Sequence, residues 1–132
     1  METKICTKCK KELPITDFYY RDTKKGLRRS ECRYCHCEYV KEKYYNRKKY
    51  INNKKATIAC SKCGECRPYC LDFHHKDFLL KESTIARMTC NQVSKDKLEK
   101  EISKCVILCA NCHREYHYLN KINGITLEEY LI

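Results

Sequence analysis

Apolar and polar positions along this chain mark a series of short elements and one long one. Residues 36–56, HCEYVKEKYYNRKKYINNKKA, hold neither Gly nor Pro, and Val40, Tyr44 and Ile51 fall near helical spacing, which predicts a single helix. Leu98 and Ile102 lie four apart after Ser94, the pattern of an N-capped amphipathic helix, and no chemistry attaches to it in this reading. Val106, Ile107 and Leu108 form a short apolar run expected as a buried strand. Thr126 and Glu129 fit a capping box ahead of the apolar end Tyr130-Leu131-Ile132, a tail that either folds back on the core or meets a partner. Near the N-terminus, Lys24-Lys25-Gly26-Leu27 reads as a turn between two short strands, with Phe18, Tyr19 and Tyr20 on one arm and Arg28 and Arg29 on the other.

Composition changes this picture in one respect. The chain has 132 residues, with 13 Cys, 11 Tyr, 3 Gly and 2 Pro, so low-complexity disorder is excluded and any core is small. No apolar run approaches the roughly 20 residues of a membrane span, and no charged-then-apolar leader opens the sequence. An intracellular location is therefore expected, in cytoplasm or nucleoid and including the host cell of a phage or virus, where thiols stay reduced and CxxC pairs take zinc.

Charge is divided unevenly. Residues 1–59 hold 17 basic and 7 acidic residues, net +10, while residues 60–132 hold 11 and 10, net +1. Such asymmetry predicts a polyanionic partner, most simply DNA, with no membrane role. Lys41, Lys43, Arg47, Lys48, Lys49, Lys54 and Lys55 on the long helix, with Arg28, Arg29 and Arg114, are the candidate phosphate contacts.

Cysteine spacing supplies the scaffold. Cys6 and Cys9 with Cys32 and Cys35 form one candidate zinc tetrad, with His36 and Cys37 as substitutes for Cys35; Cys60 and Cys63 with Cys109 and Cys112 form a second, with Cys66 as an alternative partner of Cys63. Two structural Zn2+ are expected. Cys66, Cys70, Cys90 and Cys105 exceed this need and are expected as buried thiols. His74, His75, His113 and His117 then have no zinc duty, and His113 and His117, at i and i+4, share one helix face as two ligands of one ion would.

The strings CSKCG, LDFHH and CVILCANCHREYH resemble the HNH endonucleases, and the N-terminal CTKC…ELPITDFYYRDTKKGLRRSECRYC is similar to the zinc module ahead of the core in recombination endonuclease VII-like proteins of phages and viruses. The resemblance implies a small, zinc-stapled α+β fold: a ββα-metal, treble-clef-like nuclease core (58–120) preceded by a zinc-ribbon-like module (1–37) and a basic linker helix (38–57), and followed by a tail (121–132). It implies His75 as general base, and His74, His113 and His117 as ligands of a catalytic Mg2+ or Mn2+. It also implies an Asn nine residues before His113 to steady the loop bearing the base; this chain has Lys104 there, so either Asn111 substitutes or the restraint is absent. The expected activity is metal-dependent hydrolysis of DNA phosphodiester bonds, by a monomer or a homodimer. The alternative is a non-catalytic, zinc-stapled DNA-binding or assembly protein of the same fold.

Overall fold

The computed structural model describes residues 2–132 as a small α+β chain in two compact units, Met1–Tyr45 and Asn46–Ile132. Strands β1 (Thr3–Ile5) and β2 (Glu12–Pro14) form one antiparallel pair, and β3 (Tyr20–Asp22) with β4 (Leu27–Arg28) another. Helix α1 (Arg33–Ala56) follows, and the boundary between units falls inside it. The second unit pairs β5 (Leu71–His75) with β6 (Cys105–Cys109), and between these strands lie α2 (Ile85–Cys90) and α3 (Lys95–Ser103). Helices α4 (Ala110–Asn123) and α5 (Leu127–Leu131) complete it. Among the described residues no helix is long and apolar enough to cross a membrane.

Helix α1 corrects the expected segmentation. Val40 is 38 % exposed and only Ile51 is buried, so no continuous apolar stripe holds this helix. Its first turn is anchored by Cys32 and Cys35, whereas Ile51 packs with Ile85, Met88 and Leu98 in the second unit. A division at residue 57 would cut that cluster, so 38–57 is not a free linker. The C-terminal tail is likewise part of the core: Leu127 and Tyr130 pack with Cys60, Leu71, Ile107 and Leu108, and the Thr126–Glu129 capping box starts α5. Ile107 and Leu108 are adjacent in β6 yet both buried, so the β5–β6 pair is covered on each face there; Phe73, paired with Ile107, packs against both clusters of the second unit.

Both units are built on the same local frame. The amide after the fourth residue of each Cys-x-x-Cys turns back on the first cysteine, Lys10 N donating to Cys6 O and Gly64 N to Cys60 O, both at 3.0 Å. Those two residues are left-handed, with φ 61° and 77°. The third and fourth cysteines then open a helix in each case, Cys32 and Cys35 at the start of α1, Cys109 and Cys112 at the start of α4. Glycine adopts the left-handed backbone freely and lysine does not. Lys10→Gly should therefore raise stability by about 0.5–1 kcal/mol, and Gly64→Ala, whose added methyl meets nothing within 4 Å, should lower it by about 1 kcal/mol through backbone conformation alone. Thermal melts of the zinc-loaded variants check both signs.

Candidate metal centre

Two cysteine clusters suit structural zinc. The sulfurs of Cys6, Cys9, Cys32 and Cys35 lie within 4.8 Å of one another, as do those of Cys60, Cys63, Cys109 and Cys112. Cys35 is thus the member ahead of His36 or Cys37, and Cys60 the partner of Cys63 ahead of Cys66. Backbone donors face the sulfurs, as thiolate ligands require: Cys32 N approaches Cys6 Sγ at 3.3 Å, and Cys112 N approaches Cys109 Sγ at 3.4 Å. Burial works against a thiolate at Cys6 and Cys60, but backbone N–H groups of Cys32, Cys9 and Lys8 hold the first down at about 6, and those of Cys63, Cys109 and Lys62 do the same for the second. Burial and the neighbouring sulfurs push Cys35 and Cys112 up to about 12, the repulsion that a cation at the centre would relieve. The surplus thiols are not uniformly buried: Cys66 and Cys90 lie exposed on loop and helix end, because neither segment turns them towards a core.

A third cluster is made of histidines. Ligand atoms of His74 on β5 and of His113 and His117 on α4 lie within 4.8 Å of one another. His113 and His117 point Nε2 at Nε2, 3.1 Å apart, as the i, i+4 spacing provides, and the His74 ring meets theirs edge-on at centroid distances of 4.9 and 5.1 Å. Burial, then repulsion from His113 and His117, pulls His74 down to about 4; burial and His113 lower His117. These two imidazoles are therefore neutral near pH 7, the protonation state a ligand needs. Nδ1 of His113 faces Asp72 Oδ2 at 3.6 Å, which leaves Nε2 towards the cluster, the carboxylate–histidine arrangement that orients metal ligands. Asp72 stands two residues before His74 and so on the same face of β5, a period-2 signal legible in the sequence. Three imidazoles fit a borderline divalent ion such as Zn2+ or Ni2+; of the two harder ions expected, Mn2+ and Mg2+, both favour oxygen ligands and Mg2+, which demands an octahedron of them, is the poorer match.

His75 points the other way. Strand alternation turns it from the histidine cluster to Glu101 on α3, whose Oε1 lies 2.8 Å from His75 Nε2. The side chains are 8 % and 1 % exposed. Glu101 also accepts from Lys104 Nζ at 2.8 Å and from Glu82 N at 2.9 Å. Burial opposes its charge, but these donors bring it down to about 2. Helix α3 thus carries a buried, hydrogen-bonded carboxylate that sequence reasoning missed; the signal was an acidic residue three after Leu98 on the buried face. His75 still lines the cleft of about 480 Å³ that also holds His74, His113 and His117.

Asn111 does not take over the restraint expected of an Asn nine residues before His113. It is exposed on the first turn of α4, and among the described residues no hydrogen bond joins it to the loop after β5. Lys104 does that work itself: its carbonyl accepts from Lys76 N at 3.0 Å, and its ammonium donates to Leu80 O at 3.1 Å. Four candidate phosphate contacts are also engaged with groups of the protein, among them Arg28, which donates to Phe18 O at 2.7 Å. Arg47 donates to Val93 O, Lys54 pairs with Glu99 at 2.7 Å, and Lys55 donates to Leu71 O. Lys43, Lys48, Lys49 and Arg114 remain exposed, while Lys41 pairs with Glu38 and Arg29 with Glu31 on the surface. No family model, curated protein or solved structure matches the chain.

Zinc-loaded protein should contain two Zn2+ per chain held by cysteine, and Cys109→Ser should lose one of them while the first tetrad keeps its own; elemental analysis of chelator-free preparations reads both. Glu101 makes a separate contribution with a defined sign. Its carboxyl is depressed from the ordinary 4.5 to about 2, so the stabilisation is complete above 4.5 and is lost as pH falls towards 2. Wild type should exceed Glu101→Gln by about 3 kcal/mol at pH 7, with the difference collapsing across that window. Chemical denaturation of the two proteins side by side cancels the acid release of zinc common to both.

Proposed function

We propose that the chain is a metal-dependent endonuclease of the HNH type that hydrolyses DNA phosphodiester bonds. The observation that carries this reading is the convergence of His74, His113 and His117 from a hairpin and a helix that share one four-cysteine cluster. On this reading β5, β6 and α4 are a ββα-metal core. His74, His113 and His117 would hold a divalent ion, which when bound would stabilise charge developing on the phosphate and the leaving oxygen. Asp72 orients His113. His75 takes a proton from the attacking water: Glu101 occupies Nε2, which leaves Nδ1 as the accepting nitrogen, and the carboxylate favours the imidazolium that forms. Lys43, Lys48, Lys49 and Arg114 serve as phosphate contacts, which position the strand without selecting its sequence. A single centre cuts one strand, so concerted cleavage of both calls for a homodimer.

One observation favours the non-catalytic reading. The His75–Glu101–Lys104 network already has a structural task, holding the loop of residues 76–84, and His75 is nearly buried. The two readings part in one experiment, incubation of the protein with supercoiled plasmid and branched DNA, with and without Mn2+ or Mg2+. Under the nuclease reading His75→Ala lowers cleavage by about 10²- to 10⁴-fold with DNA affinity kept, and His113→Ala is partly restored by raised Mn2+. Wild type that binds DNA and cuts none of these substrates, with His75→Ala changed only in melting temperature, assigns the non-catalytic role.

A further inference from the structure

The two units share more than their cysteines. Cys6-Thr7-Lys8-Cys9 matches Cys60-Ser61-Lys62-Cys63, and Asp17-Phe18-Tyr19-Tyr20 matches Asp72-Phe73-His74-His75. The run from Cys35 through His36 to Glu38 and Tyr39 matches that from Cys112 through His113 to Glu115 and Tyr116. Strand register agrees. Tyr20 pairs with Arg28 and His75 with Cys105, each partner four residues before the third cysteine of its tetrad. Arg29 N donates to Tyr19 O at 2.8 Å, and His74 pairs with Val106, each partner three residues before it. Backbone bonds from Thr7 N to Ser30 O and from Ser61 N to Ile107 O, 3.0 and 2.9 Å, tie the frames identically. The first unit therefore repeats the knuckle, hairpin and helix of the second. Tyr19 stands where His74 stands, Tyr20 for His75, His36 for His113 and Val40 for His117. The ring geometry is kept too: Tyr19 and His36 meet edge-on at 72° and 5.6 Å, His74 and His113 at 74° and 4.9 Å.

What differs is chemistry and cover. A phenol and an isopropyl group replace two of the three imidazoles, which removes the metal centre. Residues 76–104, which bury His75, are replaced by the short turn 23–26, so Tyr20 is 47 % and Tyr19 39 % exposed. Cations surround these rings. The Arg28 guanidinium lies 3.6 Å from the Tyr20 ring centre and is fixed by donating to Phe18 O at 2.7 Å; Arg33 lies 5.1 Å from that of Tyr19. Arg29 and Lys41 edge the same cleft.

We infer that this cleft holds an unpaired nucleotide of a single-stranded nucleic acid, its base on Tyr20 and the flanking phosphates on Arg29 and Lys41, in place of their surface carboxylates Glu31 and Glu38. Aromatic faces set among cations are what single-strand sites use, because every base offers a π face and every linkage a charge. A duplex hides its base faces in the stack, which excludes it from Tyr20. The inference rests on the nucleic-acid part of the function proposed above and assigns the first unit the task of seizing a displaced or branched strand.

The test uses full-length, zinc-loaded protein and the anisotropy of a labelled mixed-sequence strand of about 20 nucleotides, alone and as duplex, without added divalent ion. Tyr20→Ala should weaken single-strand binding by about 5- to 150-fold, the worth of one stacked base, with the zinc content and salt dependence unchanged and Tyr20→Phe close to wild type. Arg29→Gln combined with Lys41→Gln should lower the slope of log affinity against log salt by about 1.4. Single-strand affinity of Tyr20→Ala within about twofold of wild type, or an equal loss on duplex, overturns the inference. The nuclease reading fails separately: Tyr20-dependent strand binding in a protein that cuts no DNA overturns only that reading, and cleavage by a protein indifferent to Tyr20→Ala overturns only this one.

Discussion

The junction of a cysteine knuckle, a hairpin end and a helix N-terminus, closed by four sulfurs, is the constraint on which each unit depends. Its buried clusters are small: Cys6, Phe18 and Cys32 are the whole buried cluster of the first unit. An apolar core of that size gives too little burial to offset chain entropy, and a tetrahedral ion at four thiolates is the usual remedy. The cluster also sets direction. Because Cys109 ends β6 and caps α4 in one residue, the helix leaves the hairpin at a fixed angle, and His113 and His117 arrive beside His74. Burial first, and then the crowding of His113 and His117, disfavours a proton on His74, and the frame holds the three imidazoles together at that cost.

The same frame occurs twice with different attachments, and the attachments decide the chemistry. Between β5 and β6 the second unit carries α2 and α3, which bring Glu101 under His75 and Lys104 against the following loop. In the first unit a tight turn takes that place, and the equivalent Tyr20 meets solvent and a guanidinium. One position is thus buried and paired with a carboxylate, the other open and cationic. Net charge does not follow the same line, since residues 1–45 hold 12 basic and 7 acidic residues, net +5, and residues 46–132 hold 16 and 10, net +6; pairing differs, with carboxylates neutralising Lys54 and Lys104 in the second unit and most cations exposed in the first.

The sequence by itself determined what depends on short-range spacing: both cysteine tetrads, the long helix, the Ser94 and Thr126 caps, a turn at Lys24–Gly26 though not its extension to Leu27, which begins β4, and the pairing of His113 with His117. Each needs only ligand geometry or a helical or extended period. The likeness of the Asp17–Tyr20 and Asp72–His75 segments was also written there, but without the strand register nothing showed that they occupy equivalent places. Tertiary structure decided the rest. It turned His75 away from the cluster, placed Glu101 beside it from 26 residues away, and gave the loop restraint to Lys104 in place of Asn111. It also took Arg47, Lys54 and Lys55 out of the surface charge. A strand's alternation fixes which neighbours point apart, but only long-range packing fixes what each one meets.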